Sequence, residues 1–600
     1  MSSIRNTQQV EEKSRALLYP LIIVMSIIPL IVHQKQTESH LTQYDWFTNE
    51  TTINDFFLYY KEVWLVIMGI VMLLVLVWKI KNNKQYQTLP KVLIPAAVYG
   101  VCVILSMIFS IDPMRSLRGS MDQFESGLVL LGYVIFMYYA YLLVEDEFDL
   151  EFLIKAWLVS MGVLCVIGLL QVLGHDFFAT NFGKRLITMK EYWDHLDAIS
   201  FAFGKNRIYL TLYNPNYVGV YASLAIPILV TLLLFTKKMI MRAIYAVLIV
   251  GMVICIVGSQ SKTAFLTLAV VALFAIVLFR KPLFRYWFIV VPGIVVLTIV
   301  FFVFDASIGH SYTNSIKSAL QTFKADPPTY AVTRVDTLDD EVVITYNNQP
   351  LHLSYTNQDG QFAIVVKDDT GNQLQTTTSE NAIVIQDERF AGIQLTPVSL
   401  DNIYGIQISG GGIPTWCFSN EVKEGDSSYY FLTPFGKWDK VNNPEFVKMN
   451  ERFFSGRGYI WSRTIPLLKK YALVGSGPDT YVLAFPQDDY VGLENNGYKG
   501  SLVTKPHNLY LQIAVQTGLI SLLAFLALYG IYFVQSIRIY IRSGFDSYFA
   551  QVGAGIFLGT IGYMIAGITN DSTTGVAPIF WILLGLGFAI NKKLKIEKTV

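Results

Sequence analysis

The sequence predicts a mainly α-helical polytopic membrane protein with about twelve transmembrane helices and a β-rich extracytoplasmic insertion between helices 9 and 10. Hydrophobic residues make up 53% of the 600-residue chain and charged residues only 15%, whereas about 25% charged residues is usual in soluble proteins. The apolar residues occur in runs of about 20, the length that crosses a bilayer core. One long polar segment interrupts these runs, and part of it alternates apolar and polar residues as strands do.

We interpret about twelve apolar runs as membrane spans, and the first and last are short. They lie near residues 17–32, 58–79, 92–111, 127–144, 151–173, 217–235, 240–258, 263–279, 286–304, 508–533, 548–569 and 575–590. No small-residue cleavage site follows the first run. We therefore expect it to be a retained anchor and not a removed signal peptide.

Basic residues are concentrated in alternate loops, which predicts the orientation of the spans. The basic loops and tail contain Lys79, Lys81, Lys84 and Lys91; Lys237, Lys238 and Arg242; Arg280, Lys281 and Arg285; Arg538 and Arg542; and Lys592, Lys593, Lys595 and Lys598. By the positive-inside rule these segments face the cytoplasm. Both termini are then cytoplasmic in a bacterial cytoplasmic membrane, and the predicted outer loops are 33–57, 112–126, 174–216, 259–262, 305–507 and 570–574.

The chain divides into three parts on this interpretation: helices 1–9 in residues 1–304, an extracytoplasmic loop in 305–507 and helices 10–12 in 508–600. The loop contains a β-rich insertion, about 325–445, with strand-like stretches "EVVITY", "LHLSY", "QFAIVV", "NAIVIQ" and "YGIQIS" between turns. A helical pattern follows at about 449–472, and we expect Pro466 to kink or end that helix.

The predicted outer loops carry six cations of interest: Arg115, Arg118, Arg207, Lys262, Arg457 and Lys505. Basic residues on the outer side are unexpected and favour an anionic partner. Helix-start signals accompany some of them, at Asn214-Pro215-Asn216, Ser261-Lys262-Thr263 and Thr504-Lys505-Pro506. Helix N-termini with nearby cations bind phosphate, so we predict a site for a doubly charged diphosphate.

Each of these features also has a purely structural interpretation. Arg115 and Arg118 are equally consistent with contacts to lipid headgroups, and the "NPN" sequence with a simple turn and cap. Lys262 is also consistent with a lysine that snorkels to the interface, and His507 with a hydrogen-bonded interfacial histidine. The prediction of a diphosphate site depends on the joint pattern and not on any single residue.

Transfer of a sugar from a lipid-linked diphosphate needs stabilisation of the leaving group and a base for the acceptor hydroxyl. His507, flanked by Lys505 and Asn508, suits the second role near neutral pH. Trp461 lies one helical turn from Arg457. The chain contains no Asp-x-Asp pair of the kind that holds a metal in many sugar transferases. We therefore expect no metal and no cofactor.

The sequence resembles the O-antigen ligase/polymerase family of polytopic glycan transferases. The matching stretches are "IDPMRSLRGSMDQFESG", "YNPNYVGVYASL", "GSQSKTAFLTL", "GRGYIWSRTIPLLKKYALVGSGPDTY", "KPHNLYLQIAVQTGLISLLAF" and "APIFWILLGL". The resemblance implies an undecaprenyl-diphosphate-linked glycan donor, His507 as the catalytic histidine and Arg457 at the diphosphate. Lys262 stands where many members have arginine, and the β-rich insertion is outside the family pattern.

The resemblance does not separate ligase from polymerase. The acceptor that it implies is a polysaccharide, a lipid or a wall polymer, and the net charge of +1 gives no indication of nucleic acid. A flippase or exporter of lipid-linked polysaccharide is the alternative from another class, although transporters usually place polar groups near the bilayer midplane. A third hypothesis is a binding or sensing protein whose β insertion recognises wall polymer.

Overall fold

The structure is a computed structural model that describes residues 15–82, 89–201, 203, 207–285, 327–358, 361–379 and 382–597, with scattered positions between 299 and 321. It is mostly helical, with a separate β-rich region at residues 332–439. The α-helices of these described residues, numbered in chain order, are α1 (Tyr19–Ile22), α2 (Tyr59–Asn82), α3 (Ile94–Ile108), α4 (Pro113–Arg118), α5 (Gly127–Leu143), α6 (Glu147–Val172), α7 (Asn181–Ile187), α8 (Pro215–Phe235), α9 (Met239–Ser259), α10 (Lys262–Leu278), α11 (Arg280–Arg285), α12 (Phe453–Tyr471), α13 (Tyr481–Ala484), α14 (Tyr490–Asn495), α15 (Leu509–Thr517), α16 (Leu519–Tyr540), α17 (Tyr548–Ala566) and α18 (Ala577–Glu597).

Seven helices in the described ranges are long and apolar enough to cross a membrane. They are α2, α3 with its preceding 3₁₀ turn (Lys91–Ile108), α6, α8, α9, α16 and α17. Three shorter apolar helices lie at Tyr19–Leu30, Gly127–Leu143 and Lys262–Leu278. The chain is thus a multi-pass membrane protein, while the total of twelve spans stays a prediction, since most of the predicted ninth span, 286–304, lies outside the described residues.

The tenth predicted span, 508–533, is wrong as a single helix because Gly518 divides it. Gly518 has φ +93°, and a Cβ atom there would lie 2.5 Å from the carbonyl oxygen of Leu473. The short helix α15 ends just before it and the long helix α16 begins just after it. The predicted first span also differs, since α1 continues as a π-helical turn and a 3₁₀ turn that ends at Leu30.

The predicted outer loops lie together at one end of the helical bundle. Hydrogen bonds join residues in these loops or at the ends of the adjoining predicted spans: Gln34 N to Ile187 O (2.6 Å), Ile111 N to Ser476 O (2.9 Å), Thr263 Oγ1 to Thr569 Oγ1 (2.9 Å), and Leu509 N to Gly567 O (2.8 Å). The segments predicted as outer loops are therefore close to one another in the structure. Which end faces the cytoplasm stays a prediction.

The β-rich region forms two antiparallel sheets, close to the predicted insertion at about 325–445. One sheet has the order β3-β4-β5-β6 and the other the order β13-β12-β11-β10-β9-β8-β7, while a small hairpin pairs β1 with β2. The strands are β1 (Lys35–Glu38), β2 (Thr52–Asp55), β3 (Val332–Thr337), β4 (Val342–Tyr346), β5 (Gln349–Gln358), β6 (Gln361–Lys367), β7 (Thr376–Ser379), β8 (Ala382–Ile385), β9 (Ile393–Leu400), β10 (Ile403–Gly410), β11 (Ile413–Ser419), β12 (Tyr430–Leu432) and β13 (Trp438–Asp439). Buried side chains of both sheets, such as Ile344 and Leu395, share one hydrophobic cluster.

Helix α12 spans Phe453–Tyr471, close to the predicted helical segment at about 449–472. Pro466 does not end it, because the helix continues to Tyr471. The break lies instead at its start, where Phe454, Ser455 and Gly456 have φ of 49°, 63° and 91°. Regular right-handed helix therefore begins at Arg457, which places this residue in the first turn.

The β-rich region packs against the segment that contains α12 and α14. Asn495 Nδ2 donates to the Val332 carbonyl oxygen at 2.9 Å, and the Tyr490 hydroxyl donates to Asp439 at 2.6 Å. In α12, Arg463 forms a buried ion pair with Asp489 at 3.0 Å. These contacts hold α12, and with it Arg457, in a fixed position relative to α14 and the β-rich region.

Candidate functional site

The stretch from Lys505 to Asn508 is held in a turn between α14 and α15. The Trp461 indole donates to the Pro506 carbonyl oxygen at 2.9 Å, and His507 has φ +51°. Asn508 is the N-cap of α15, since its Oδ1 accepts from the backbone N–H groups of residues 510 and 511. The cap predicted at Thr504-Lys505-Pro506 thus lies at Asn508.

His507 is paired with Asp571, which the sequence did not single out. His507 Nδ1 lies 2.9 Å from Asp571 Oδ2, and the backbone N–H of Asn508 donates to Asp571 Oδ1 at 3.2 Å. The Asp571 side chain is only 1% exposed, whereas 34% of the His507 side chain is exposed. The imidazole therefore has one nitrogen engaged inside the protein and an accessible edge.

Several charged groups influence the Asp571 carboxyl. Burial acts to raise its pKa, but His507, Lys505 and Arg457 outweigh burial and lower the pKa below its usual value. Asp571 is consequently an ionised acceptor near neutral pH. An ionised acceptor at Nδ1 holds the proton on that nitrogen, so Nε2 of a neutral His507 has a free lone pair.

Arg457 lies within electrostatic range of Asp571 and Tyr217 and donates through Nη1 to the Phe454 carbonyl oxygen at 3.1 Å. Its Nε is buried without a hydrogen-bond partner among the described residues. Burial lowers the pKa of Arg457, and Asp571 opposes this shift. The side chain thus retains hydrogen-bonding capacity beside the His507–Asp571 pair.

Lys505 points into the protein. Its Nζ donates to the Asp122 carbonyl oxygen at 2.8 Å and to the Tyr217 hydroxyl at 3.1 Å, and lies over the ring of Tyr213. Burial acts to lower the pKa of Lys505, but its tyrosine and carboxylate neighbours outweigh burial and raise the pKa. Lys505 therefore contributes positive charge to the site from a fixed position.

The starts of α8 and α10 lie beside this group. Asn214 caps α8 by accepting from the Asn216 N–H at 2.9 Å, and Tyr217 in the same turn contacts Lys505. A Cβ atom on Gly219 would lie 2.2 Å from Ser261 Oγ, which shows how closely α8 and α10 approach. Ser261 is the N-cap residue of α10, but its buried hydroxyl makes no cap hydrogen bond.

Lys262 is the first residue of α10 and is exposed. The next residue, Thr263, bonds to Thr569, two positions before Asp571, so Lys262 lies at the edge of the same loop. No described residue forms a hydrogen bond or ion pair with its ammonium group. Arg207 is half-buried near this edge and donates from Nε to the Ser259 carbonyl oxygen at 3.1 Å.

The two arginines of the early loop lie elsewhere. Arg115 is buried and its guanidinium contacts Asp112 at 3.4 Å, the Ser39 carbonyl oxygen at 3.3 Å and Ser120. Arg118 is exposed at the end of α4. Arg115 uses its donors on protein oxygens, and among the described residues Arg118 has no bond to the loop that carries Asp571, so we leave both out of the proposed site.

Comparison with known proteins relates this geometry to a family. Residues 426–526, which include α12, His507 and α15, match the family model described as O-antigen ligase. This segment of the chain is similar to O-antigen ligases. Members of this family are membrane enzymes of the ligase and polymerase type, with lipid-linked glycan and polysaccharide substrates. No curated protein and no solved structure is significantly similar to this chain.

The family match covers the two predicted catalytic residues but not Asp571, Lys262 or Arg207. Spacing in the sequence did not indicate Asp571, because a lone carboxylate 64 residues after its histidine partner has no local signature. Its position in the predicted outer loop 570–574 was the one available signal. Within the described residues, no group of three or more His, Cys, Asp or Glu side chains is arranged to hold a metal ion.

Proposed function

We propose that the protein transfers a glycan from an undecaprenyl-diphosphate carrier to an acceptor hydroxyl at the outer face of the cytoplasmic membrane. The observation that supports this most directly is the 2.9 Å contact between His507 and a buried Asp571 that also lies in the field of Arg457 and Lys505. A base and a surplus of positive charge then occur together, as transfer from a diphosphate requires.

The diphosphate would bind between the start of α12 and the start of α10. Arg457 lies in the first right-handed turn of α12, where the positive end of the helix dipole adds to its own charge. Lys262 begins α10 and has an unengaged ammonium group at the opposite edge. Arg207 is half-buried beside that edge. Lys505 contributes positive charge from its buried position while it keeps its hydrogen bond to the Asp122 carbonyl oxygen.

In the reaction, the acceptor O–H proton moves to His507 Nε2 as the acceptor oxygen bonds to the anomeric carbon of the donor sugar. The bond between that carbon and the diphosphate oxygen breaks, and the diphosphate leaves with the electron pair. Asp571 stabilises the imidazolium that forms at His507. Arg457 and Lys262 stabilise the negative charge that develops on the leaving group.

A polymerase of the same family uses the same chemistry with a second lipid-linked glycan as acceptor, so the two activities differ only in the acceptor. A flippase or exporter is the remaining alternative. The division of the tenth span at Gly518 is a feature that transporters also use. The cations of the proposed site nevertheless cluster at the bundle end and not at its middle.

The test uses purified protein in lipid nanodiscs with a lipid-linked diphosphate glycan and candidate acceptors. We expect wild-type protein to form product, and His507→Ala to lose activity while keeping its expression and thermal stability. Movement of the donor across proteoliposome membranes without product would support transport instead. Wild-type turnover by His507→Ala would remove the assignment of the base.

A further inference from the structure

Glu125 is a buried carboxyl that the proposed chemistry does not use. It lies in the loop before α5, is 2% exposed, and accepts hydrogen bonds from the Tyr133 hydroxyl at 2.7 Å and from Gln512 Nε2 at 3.0 Å. No lysine or arginine of the described residues donates to it. A carboxylate in this position is costly unless it performs a task.

The third partner of Glu125 links it to the candidate active site. The Ser572 hydroxyl donates to Glu125 Oε1 at 2.5 Å, and the Ser572 backbone N–H donates to Gln512 Oε1 at 2.8 Å. Ser572 is therefore held at two atoms by the Glu125–Gln512 pair. The residue immediately before it is Asp571, whose carboxylate holds His507.

Glu125 is itself fixed from the other side. Its backbone N–H donates to Asp479 Oδ2 at 3.1 Å, and the Ser120 N–H donates to the same oxygen at 2.6 Å. Burial raises the pKa of Glu125 to about 7, while its hydrogen bonds from Ser572, Tyr133 and Gln512 oppose this shift. Three donors aimed at one carboxyl are best satisfied by the ionised form, which only accepts.

We propose that Glu125 is a positioning residue that fixes Asp571, through Ser572, at hydrogen-bond distance from His507. Glu125 does not touch the reacting groups. Its effect depends on the loop geometry, because a small displacement of Asp571 would release the imidazole from its productive orientation. This inference rests on the proposed function for its kinetic consequence, but the geometry of the pair exists without substrate.

The kinetic test compares Glu125→Gln, Ser572→Ala and Asp571→Asn in the transfer assay. In Glu125→Gln, an amide oxygen that still accepts from Ser572 and Tyr133 leaves the NH₂ group facing the Gln512 Nε2 donor. Gln512 must then turn away, which breaks its bond to the Ser572 backbone N–H. We expect kcat to fall roughly 10- to 100-fold, the effect of losing one hydrogen bond to a charged group, while the donor KM stays near wild type. Ser572→Ala should have a smaller effect in the same direction.

A double-mutant cycle distinguishes positioning from general destabilisation. If Glu125 acts through Asp571, adding Glu125→Gln to Asp571→Asn should cause little further loss of kcat. Asp176→Asn is the matched control, since Asp176 accepts from the Tyr209 hydroxyl at 2.5 Å and from Gln171 at 3.4 Å but has no bond to this network. Additive losses, or a wild-type kcat for Glu125→Gln, would overturn the proposal.

A second readout is independent of turnover. Diethyl pyrocarbonate modification of His507 in the substrate-free protein, followed by peptide mass spectrometry, should become faster in Glu125→Gln and Ser572→Ala because the imidazole is no longer held. Asp176→Asn should leave the rate unchanged. Unchanged rates in the first two variants would refute positioning. Absence of product from the wild type would instead refute the proposed function, while the modification rates still decide the role of Glu125.

Discussion

Replacement of Asp571 by Asn is the most direct perturbation of the candidate active site, because it preserves volume and removes the charge. In the structure, Oδ1 accepts from the Asn508 N–H and Oδ2 faces His507. The single oxygen of an asparagine would remain with the Asn508 N–H, since an amide NH₂ there would oppose another donor. The NH₂ group would then face His507 Nδ1 and require a lone pair on that nitrogen.

This arrangement moves the imidazole proton to Nε2, the atom that must accept the proton of the acceptor hydroxyl. Loss of a hydrogen bond to a charged group alone corresponds to roughly 10- to 100-fold in rate. The wrong tautomer of His507 lowers the rate further. In a Ser-His-Asp triad, the same change of Asp to Asn lowers kcat by about 10⁴-fold. We therefore expect the kcat of Asp571→Asn to be lower than that of the wild type by at least about 100-fold, and by as much as about 10⁴-fold.

The assay is initial-rate product formation in nanodiscs at saturating donor and acceptor, with thermal unfolding measured on the same samples. Asp149→Asn is the control, because Asp149 is also buried and accepts from the backbone N–H of Glu145 at 3.1 Å, but it lies in the first turn of α6. A folded Asp571→Asn protein with wild-type kcat would show that the carboxylate does not set the state of His507.

Four further predictions concern the cations, a buried carboxyl and the glycine break. Arg457→Ala should lower kcat/KM by about 100-fold or more, and Arg457→Lys should recover only part of it because an ammonium lacks the planar fork; equal rates for all three proteins would contradict this role. Lys262→Ala should raise the donor KM while Lys262→Arg keeps it low, as measured from initial rates; an unchanged KM in the alanine variant argues against diphosphate contact. Burial raises the pKa of Asp479 to about 8. Between about pH 4 and pH 8 the folded state therefore keeps a proton that the unfolded state loses. Because of this group, the free energy of unfolding should fall as the pH rises through that range. Melting curves of Asp479→Asn should show a weaker fall, and a slope identical to wild type would reject the assignment. Gly518→Ala should destabilise by roughly 1–3 kcal/mol, whereas Gly530→Ala in α16, with open space around it, should not; similar melting temperatures for both variants would disprove strain at Gly518.

Features that depend on neighbours along the chain were predictable. Apolar runs gave most of the helices, because helix length and hydropathy are local properties. Each of the strand-like stretches from "EVVITY" to "YGIQIS" contains all or most of a strand or part of one, since alternation with a period of two follows from strand geometry. The grouping of the alternate loops at one bundle end also follows from the chain, because each spanning helix reverses the end at which the next loop lies.

The candidate site was predictable only in part. The helical start at Asn214 and the membership of His507 and Arg457 in one cluster were expected from sequence. Asp571 was not, since its pairing with His507 arises from the packing of α15 against the end of α17.

The inward orientation of Lys505 likewise depends on a partner far away in sequence, the Asp122 carbonyl oxygen.

The sequence by itself predicted which segments are apolar, which loops carry the cations, and approximately where the β-rich region lies. Tertiary structure alone decided which of those cations are engaged: Arg115 and Lys505 donate to protein carbonyl groups, whereas Lys262 makes no such bond within the described part of the chain. The physical reason is that hydropathy and helix periodicity act over a few residues, whereas the partner of a buried charge is chosen by the packing of elements hundreds of residues apart.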